Sequence, residues 1–87
     1  MTVEYAKGYE RIYEGILEMC RENGKPYITE REALEIVSQH IDLFPDETGL
    51  NRILSVMQTS RGLIQRIAKP ATLEEPIIIP LKKIKNG

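Results

Sequence analysis

The chain has 87 residues, of which 41% are hydrophobic and 29% are charged, and this composition predicts one globular domain over residues 1–87. A single cysteine and a single histidine supply neither a disulfide nor a zinc ligand set, so we expect no metal or other cofactor. No apolar run reaches the about 18 residues of a membrane span, and the first residues lack the order of a signal peptide. We therefore expect no membrane contact and a cytoplasmic location.

The net charge of −1 is divided unevenly along the chain. Residues 1–50 carry eleven acidic and five basic side chains, whereas residues 51–87 carry seven basic and two acidic side chains. The first part thus has a net charge of −6 and the second a net charge of +5. Such a division can place a basic surface on an acidic body, and polyanion binding responds to this local field.

The first predicted element is an amphipathic helix that ends near Asn23, because its apolar residues recur at helical spacing. These residues are Tyr5, Tyr9, Ile12, Tyr13, Ile16, Leu17 and Cys20. Gly8 and Gly15 each weaken the helix by about 1 kcal/mol relative to alanine. We therefore expect close packing, or compensating tertiary contacts, at both glycines.

Three tyrosines lie on the early turns of this helix at a spacing of four residues: Tyr5, Tyr9 and Tyr13. They suit a hydrophobic core, but a monomer of this size has little apolar surface with which to cover all three. We therefore predict that they form the interface of a homodimer, with a place in the core as the alternative.

A short extended segment, "KPYIT", leads into the second predicted helix. Thr29 and Glu32 have the spacing of a capping box, so this helix should begin at Glu30. Its predicted apolar face consists of Ala33, Leu34, Val37 and Ile41. Leu43 and Phe44 follow it and are expected to fill the gap between helices.

The third predicted helix spans about residues 47–60 and has two distinct faces. Leu50, Ile53, Leu54 and Met57 share the apolar face. The opposite face includes Arg52, Ser55 and Thr59 and is polar with few charges, unlike the first helix, whose surface carries glutamates four residues apart. Arginine, asparagine, glutamine, serine and threonine are the side chains that contact base edges and phosphates.

Two β-rich segments follow Gly62, "LIQRIAK" and "PIIIPLKKI", and predict an antiparallel hairpin. Pro76 and Pro80 favour a partly paired or edge position for the last strand. Arg66 alternates with apolar residues, which favours a surface position over a phosphate contact. Residues 82–87 carry three lysines and are predicted to form a flexible basic tail.

The predicted order of helix, strand, helix, helix and hairpin defines an α+β fold class. It resembles the winged helix-turn-helix superfamily, through the "YIT" strand that enters "TEREALEIVSQHI" and through "RILSVMQTSRGLIQRI". The resemblance extends from about Tyr9 to Ile84. It implies three helices with a small antiparallel β-sheet, in which the C-terminal hairpin is the wing.

The resemblance further implies a DNA-binding protein, a small transcriptional regulator whose third helix enters the major groove of double-stranded DNA. The residues expected to contact DNA are Thr48, Asn51, Arg52, Ser55, Gln58, Thr59, Arg61 and Lys69. Glu74 and Glu75 make the hairpin loop a poor phosphate clamp. Arginines and the tail lysines would then supply much of the electrostatic attraction.

The alternative is a protein-interaction module in a replication, transcription or other assembly, without direct DNA binding. The acidic net charge, the glutamates of the hairpin loop and the apolar "PIIIP" segment favour this alternative. Enzymatic activity is not expected, because no nucleophile, base and orienting residue are grouped and no glycine-rich phosphate loop is present.

Overall fold

A computed structural model describes residues 3–44, 49–70 and 75–81 of the chain. The described residues form three α-helices, α1 (Val3–Asn23), α2 (Glu30–Gln39) and α3 (Leu50–Thr59), with a 3₁₀ turn at Ile41–Leu43, and three strands, β1 (Ile28–Thr29), β2 (Ile64–Ile67) and β3 (Ile77–Pro80). The predicted order of elements and the α+β fold class are confirmed. No helix in these ranges is both long and apolar enough to cross a membrane.

Strand β3 is the centre of an antiparallel sheet with the order β1-β3-β2. Ile78 lies opposite Ile28 on one side and opposite Arg66 on the other. The predicted hairpin of β2 and β3 is confirmed, but the expected edge position of β3 is wrong. Pro76 precedes the strand and Pro80 is its last residue, so Ile77 and Ile78 between them pair on both sides, whereas Ile79 pairs with Gln65 of β2.

The core lies between the helices and one face of the sheet. The predicted apolar face of α3 is confirmed, since Ile53, Leu54 and Met57 are fully buried and Leu50 is partly buried against the core. On α1, Leu17 is an exception to the predicted stripe, because its side chain is 36% exposed.

Helix α2 begins at Glu30 as predicted. The Thr29 hydroxyl accepts a hydrogen bond from the Glu32 backbone N–H at 3.1 Å, and the Glu32 carboxylate accepts one from the Thr29 N–H at 3.0 Å. The helix ends at Gln39, so Ile41 lies in the 3₁₀ turn. Ile36, which the predicted apolar face omitted, is buried because α1 packs against it at Gly15.

The prediction that the tyrosines form a dimer interface is wrong for Tyr9 and Tyr13, which are 6% and 7% exposed within a single chain. The side chain of Tyr5 lies outside the described part of the chain. The ring of Tyr9 packs edge-on against Phe44, with 4.9 Å between ring centroids, and the Tyr13 hydroxyl donates to the Leu81 carbonyl. Phe44 and Leu81, the residue after β3, therefore supply contacts for the two rings that the sequence does not indicate.

Close packing is found at both glycines of α1. A Cβ atom at residue 8 would lie 2.6 Å from Cζ of Phe44 and 3.2 Å from Cβ of Leu43. A Cβ atom at Gly15 would lie 3.0 Å from Cγ2 of Ile36. The helix approaches its neighbours so closely at these turns that a side chain would have to displace them.

We expect Gly8→Ala to destabilise the protein although alanine is the better helix former. Phe44 is 1% exposed, so its ring has no room to move away from an added methyl group, and such overpacking costs about 1 to 3 kcal/mol. Urea denaturation would measure the loss. Gly15→Ala, which meets only the methyl groups of Ile36, is the matched control and should lower the free energy of unfolding less. Equal or higher stability of Gly8→Ala would contradict this account of α1.

We expect Tyr13→Phe to lower the free energy of unfolding by about 1 kcal/mol, because the Leu81 carbonyl loses its donor while the buried ring remains. The matched control is Tyr27→Phe, since among the described residues the Tyr27 hydroxyl has no hydrogen-bond partner. Denaturant titrations of both variants would test this. Losses of equal size would show that the Tyr13 hydroxyl adds nothing to stability.

Candidate nucleic-acid interface

The polar face of α3 is open to solvent. Asn51, Arg52, Gln58 and Thr59 are exposed, and Ser55 is half-buried. These five side chains belong to one helix, as the sequence predicts. All of them lie away from the buried Ile53, Leu54 and Met57 of the same helix.

Helix α3 begins at Leu50, three residues after the predicted start. Gly49 is its N-cap and makes no side-chain capping bond. The predicted DNA contact Thr48 lies outside the described residues. Within Leu50–Thr59 the charged residue is Arg52, so this helix carries no carboxylate of its own.

Arg66 does not lie on the outer surface of the hairpin, contrary to the prediction. It shares a sheet face with Ile64 and is paired with Ile78, and both isoleucines are buried. The guanidinium group forms an ion pair with the Glu30 carboxylate and donates to Oγ of Ser55 at 3.3 Å. An arginine on this face needs such a counter-charge, because an unpaired charge is costly to bury.

Glu30 is itself held at the start of α2. Its backbone N–H donates to the Pro76 carbonyl at 2.9 Å, and its carboxylate lies in the first helical turn, where negative charge is favoured. The side chains of Arg66 and Glu30 are 23% and 25% exposed. Together, Arg66, Glu30 and Ser55 join β2, α2 and α3 just beneath the polar face of α3. We call these three residues the Arg66 cluster.

The end of α3 is shaped by Gly62, whose φ of 61° suits glycine. The chain turns there, and the Leu63 N–H donates to the Met57 carbonyl at 2.8 Å. This turn places the guanidinium carbon of Arg61 4.8 Å from the centroid of the Tyr9 ring, a cation–π distance. Arg61 is therefore exposed but held against α1. Within α3, the Thr59 hydroxyl donates to the Ser55 carbonyl at 2.8 Å.

The remaining predicted contacts belong to the hairpin and the tail. Lys69 is exposed just after β2, and Glu75 is exposed before β3. Residues 71–74 of the hairpin loop and the predicted tail of residues 82–87 lie outside the described ranges.

A groove of about 430 Å³ separates α1 from α2 on another side of the molecule. Its lining includes Glu14, Glu18 and Glu22, and it includes no residue of α3. Three carboxylates make this groove unsuitable for a polyanion. A surface that binds nucleic acid would therefore have to lie away from it.

Other reactive groups are engaged in packing or capping. Burial, and secondarily the negative charge of Glu32, raise the pKa of the Cys20 thiol, so the side chain is a neutral packing group at neutral pH. Nδ1 of His40 lies 3.0 Å from the Ile36 carbonyl at the end of α2. Across the described ranges, no three His, Cys, Asp or Glu residues are grouped as a metal site.

Comparison of the chain with models of protein families, with curated proteins and with solved structures gave no match.

Proposed function

We propose that the chain is a DNA-binding protein of the winged-helix type, a small transcriptional regulator that reads double-stranded DNA with α3. The observation that carries the proposal is the exposed polar face of α3, which presents Asn51, Arg52, Gln58 and Thr59 without a carboxylate between residues 50 and 59. These side chains are suited to hydrogen bonds with base edges and phosphates. We propose a cytoplasmic location together with this function.

The fold supports the proposed geometry. An α-helix fits the major groove, which is about 12 Å wide, provided that one long face of the helix is exposed. Helix α3 meets this requirement, because its other face is packed on the core through Ile53, Leu54 and Met57. The C-terminal hairpin follows α3 directly, as the resemblance to winged helices implies.

The charge distribution supports binding at α3 and not at α1. Arg52, Arg61 and Lys69 are exposed on α3, at its end and in the hairpin loop, whereas the carboxylates of α1 line the groove toward α2. Arg66 adds little net charge because Glu30 neutralises it. Few phosphate contacts are then available, and each contributes about −0.9 to the slope of log affinity against log salt concentration.

A protein-interaction module is the second candidate. Gln65 and Ile79 are paired across the hairpin, and Ile67 lies on the same face two residues after Gln65. Both isoleucines are only partly buried, and Glu75 is exposed nearby in the chain. This surface would suit a protein partner better than a phosphate backbone. A homodimer is not part of either proposal, because two of the three tyrosines that suggested it, Tyr9 and Tyr13, are buried within one chain.

Paired substitutions on the two faces of α3 test the DNA-binding proposal. If Arg52 reads a base, Arg52→Ala should weaken DNA binding by about 1 to 3 kcal/mol. If Arg52 contacts a phosphate, the substitution should weaken binding to all DNA sequences alike and lower the salt slope by about one unit. Its free energy of unfolding should change by less than about 1 kcal/mol, as is usual for exposed charged side chains. Leu54→Ala should instead cost about 2 to 5 kcal/mol of stability through a buried cavity.

Arg21→Ala is the matched control, because it removes the same charge from an exposed position on α1. Fluorescence anisotropy with labelled duplexes would measure affinity, and thermal melting would measure stability. Equal DNA affinities of wild type, Arg21→Ala and Arg52→Ala would contradict a role of α3 in binding. That outcome would favour the protein-interaction module.

A further inference from the structure

We propose that Arg66 is a positioning residue that fixes the direction in which Ser55 can hydrogen-bond, so that Ser55 offers a donor to DNA. This inference rests on the proposed function and names the chemical groups that α3 selects. It concerns base specificity and not the overall strength of binding.

The direction of the bond between the two side chains follows from their chemistry. A guanidinium group has five N–H donors and no acceptor, so in the 3.3 Å contact with Nη1 of Arg66 the oxygen of Ser55 must accept. That bond uses one lone pair of Ser55, and the second lone pair lies beside the positively charged guanidinium, which disfavours the approach of another N–H donor. The O–H bond of Ser55 is then the group better suited to a further partner. Ser55 is half-buried, so this group can still be reached from outside.

Other hydroxyl groups in the helices behave differently. Ser38 donates to the Glu35 carbonyl at 2.7 Å, and Thr59 donates to the Ser55 carbonyl at 2.8 Å, so each spends its hydrogen within its own helix. Within the described part of the chain, no acceptor receives the hydrogen of Ser55. Of these three hydroxyls, Ser55 is the one that contacts Arg66, and it is also the one whose hydrogen is not used within its own helix.

Glu30 keeps the guanidinium in place for this role. It is ion-paired with Nη2 of Arg66 while Nη1 faces Ser55, and its own backbone is fixed to the Pro76 carbonyl. The guanidinium is thus held in place by residues of α2 and β2, both outside α3. Removal of both charged members of the Arg66 cluster would leave Ser55 free to donate to its own helix or to rotate toward a donor.

The fixed donor predicts which bases are accepted beside Ser55. In the major groove, guanine N7 and O6, adenine N7 and thymine O4 are acceptors, whereas cytosine presents an amino donor. Ser55 should therefore disfavour cytosine at the base that it contacts. Thr59, whose hydrogen is already used, offers only an acceptor and suits the amino group of adenine or cytosine.

Selection from a library of random duplexes by four proteins would test the inference: wild type, Ser55→Ala, the double variant Glu30→Gln with Arg66→Met, and the triple variant. The double variant keeps the net charge, so its affinity for unselected duplex and its salt slope should equal those of wild type. Wild type should disfavour cytosine at one position by about threefold to tenfold, the worth of one hydrogen bond. Ser55→Ala and the double variant should both lose this preference, and the triple variant should lose no more.

Thermal melting would verify that each variant is folded. The single variant Glu30→Gln is a further control: it retains Arg66 and an acceptor for its guanidinium, so it should keep the preference against cytosine. Retention of the preference by the double variant, or losses that add in the triple variant, would overturn the role of Arg66. DNA binding by wild type with cytosine accepted at every position would overturn this inference alone. Absence of binding to any duplex would overturn the proposed function as well.

Discussion

The contact of Phe44 with the bare backbone at Gly8 is the constraint on which the arrangement of the helices depends. The Phe44 ring occupies the space that a side chain at residue 8 would need, so the segment that leads toward α3 lies directly on α1. Tyr9 packs edge-on against the same ring, and Arg61, two residues after α3, lies over the Tyr9 ring. The end of the 3₁₀ turn and the chain just after α3 are thus both attached to α1. Helix α3 itself packs against α2 and β2 through its apolar face, which leaves its polar face in solvent.

A second polar layer supports α3 from beneath. The Arg66 cluster joins the hairpin, the start of α2 and the middle of α3, and it places an ion pair where the sheet face would otherwise be apolar. Partly exposed ion pairs contribute little to stability, typically less than about 1 kcal/mol, so orientation of side chains is the more natural role of this pair. The face above the cluster is weakly charged and rich in neutral hydrogen-bonding groups. Such a surface is suited to discrimination among bases more than to strong phosphate attraction.

Features that depend on neighbouring residues could be predicted from the sequence, and features that depend on distant contacts could not. The capping box of Thr29 and Glu32, the two faces of α3 and the hairpin after Gly62 all follow from short-range spacing. The ion pair of Arg66 joins residues 36 positions apart, and the bond from Tyr13 to Leu81 spans 68 positions. No local sequence pattern indicates either contact, so the sequence predicts a surface position for Arg66 and an interface position for Tyr9 and Tyr13. Of the predicted DNA contacts, exposure of Asn51, Arg52, Gln58 and Thr59 follows from helical periodicity, whereas the attachment of Ser55 to Arg66 does not.

Titration of the wild-type protein against a random-sequence duplex at several salt concentrations tests the central claim most directly. Arg52, Arg61 and Lys69 are exposed, and the second part of the chain has a net charge of +5. The logarithm of the affinity should therefore fall linearly as the logarithm of the salt concentration rises, with a slope of about −2 to −3 if Arg52, Arg61 and Lys69 each contact one phosphate, at about −0.9 per contact. Absence of binding at micromolar protein in low salt, or an affinity that does not change with salt, would contradict the account of α3 as a DNA-binding helix.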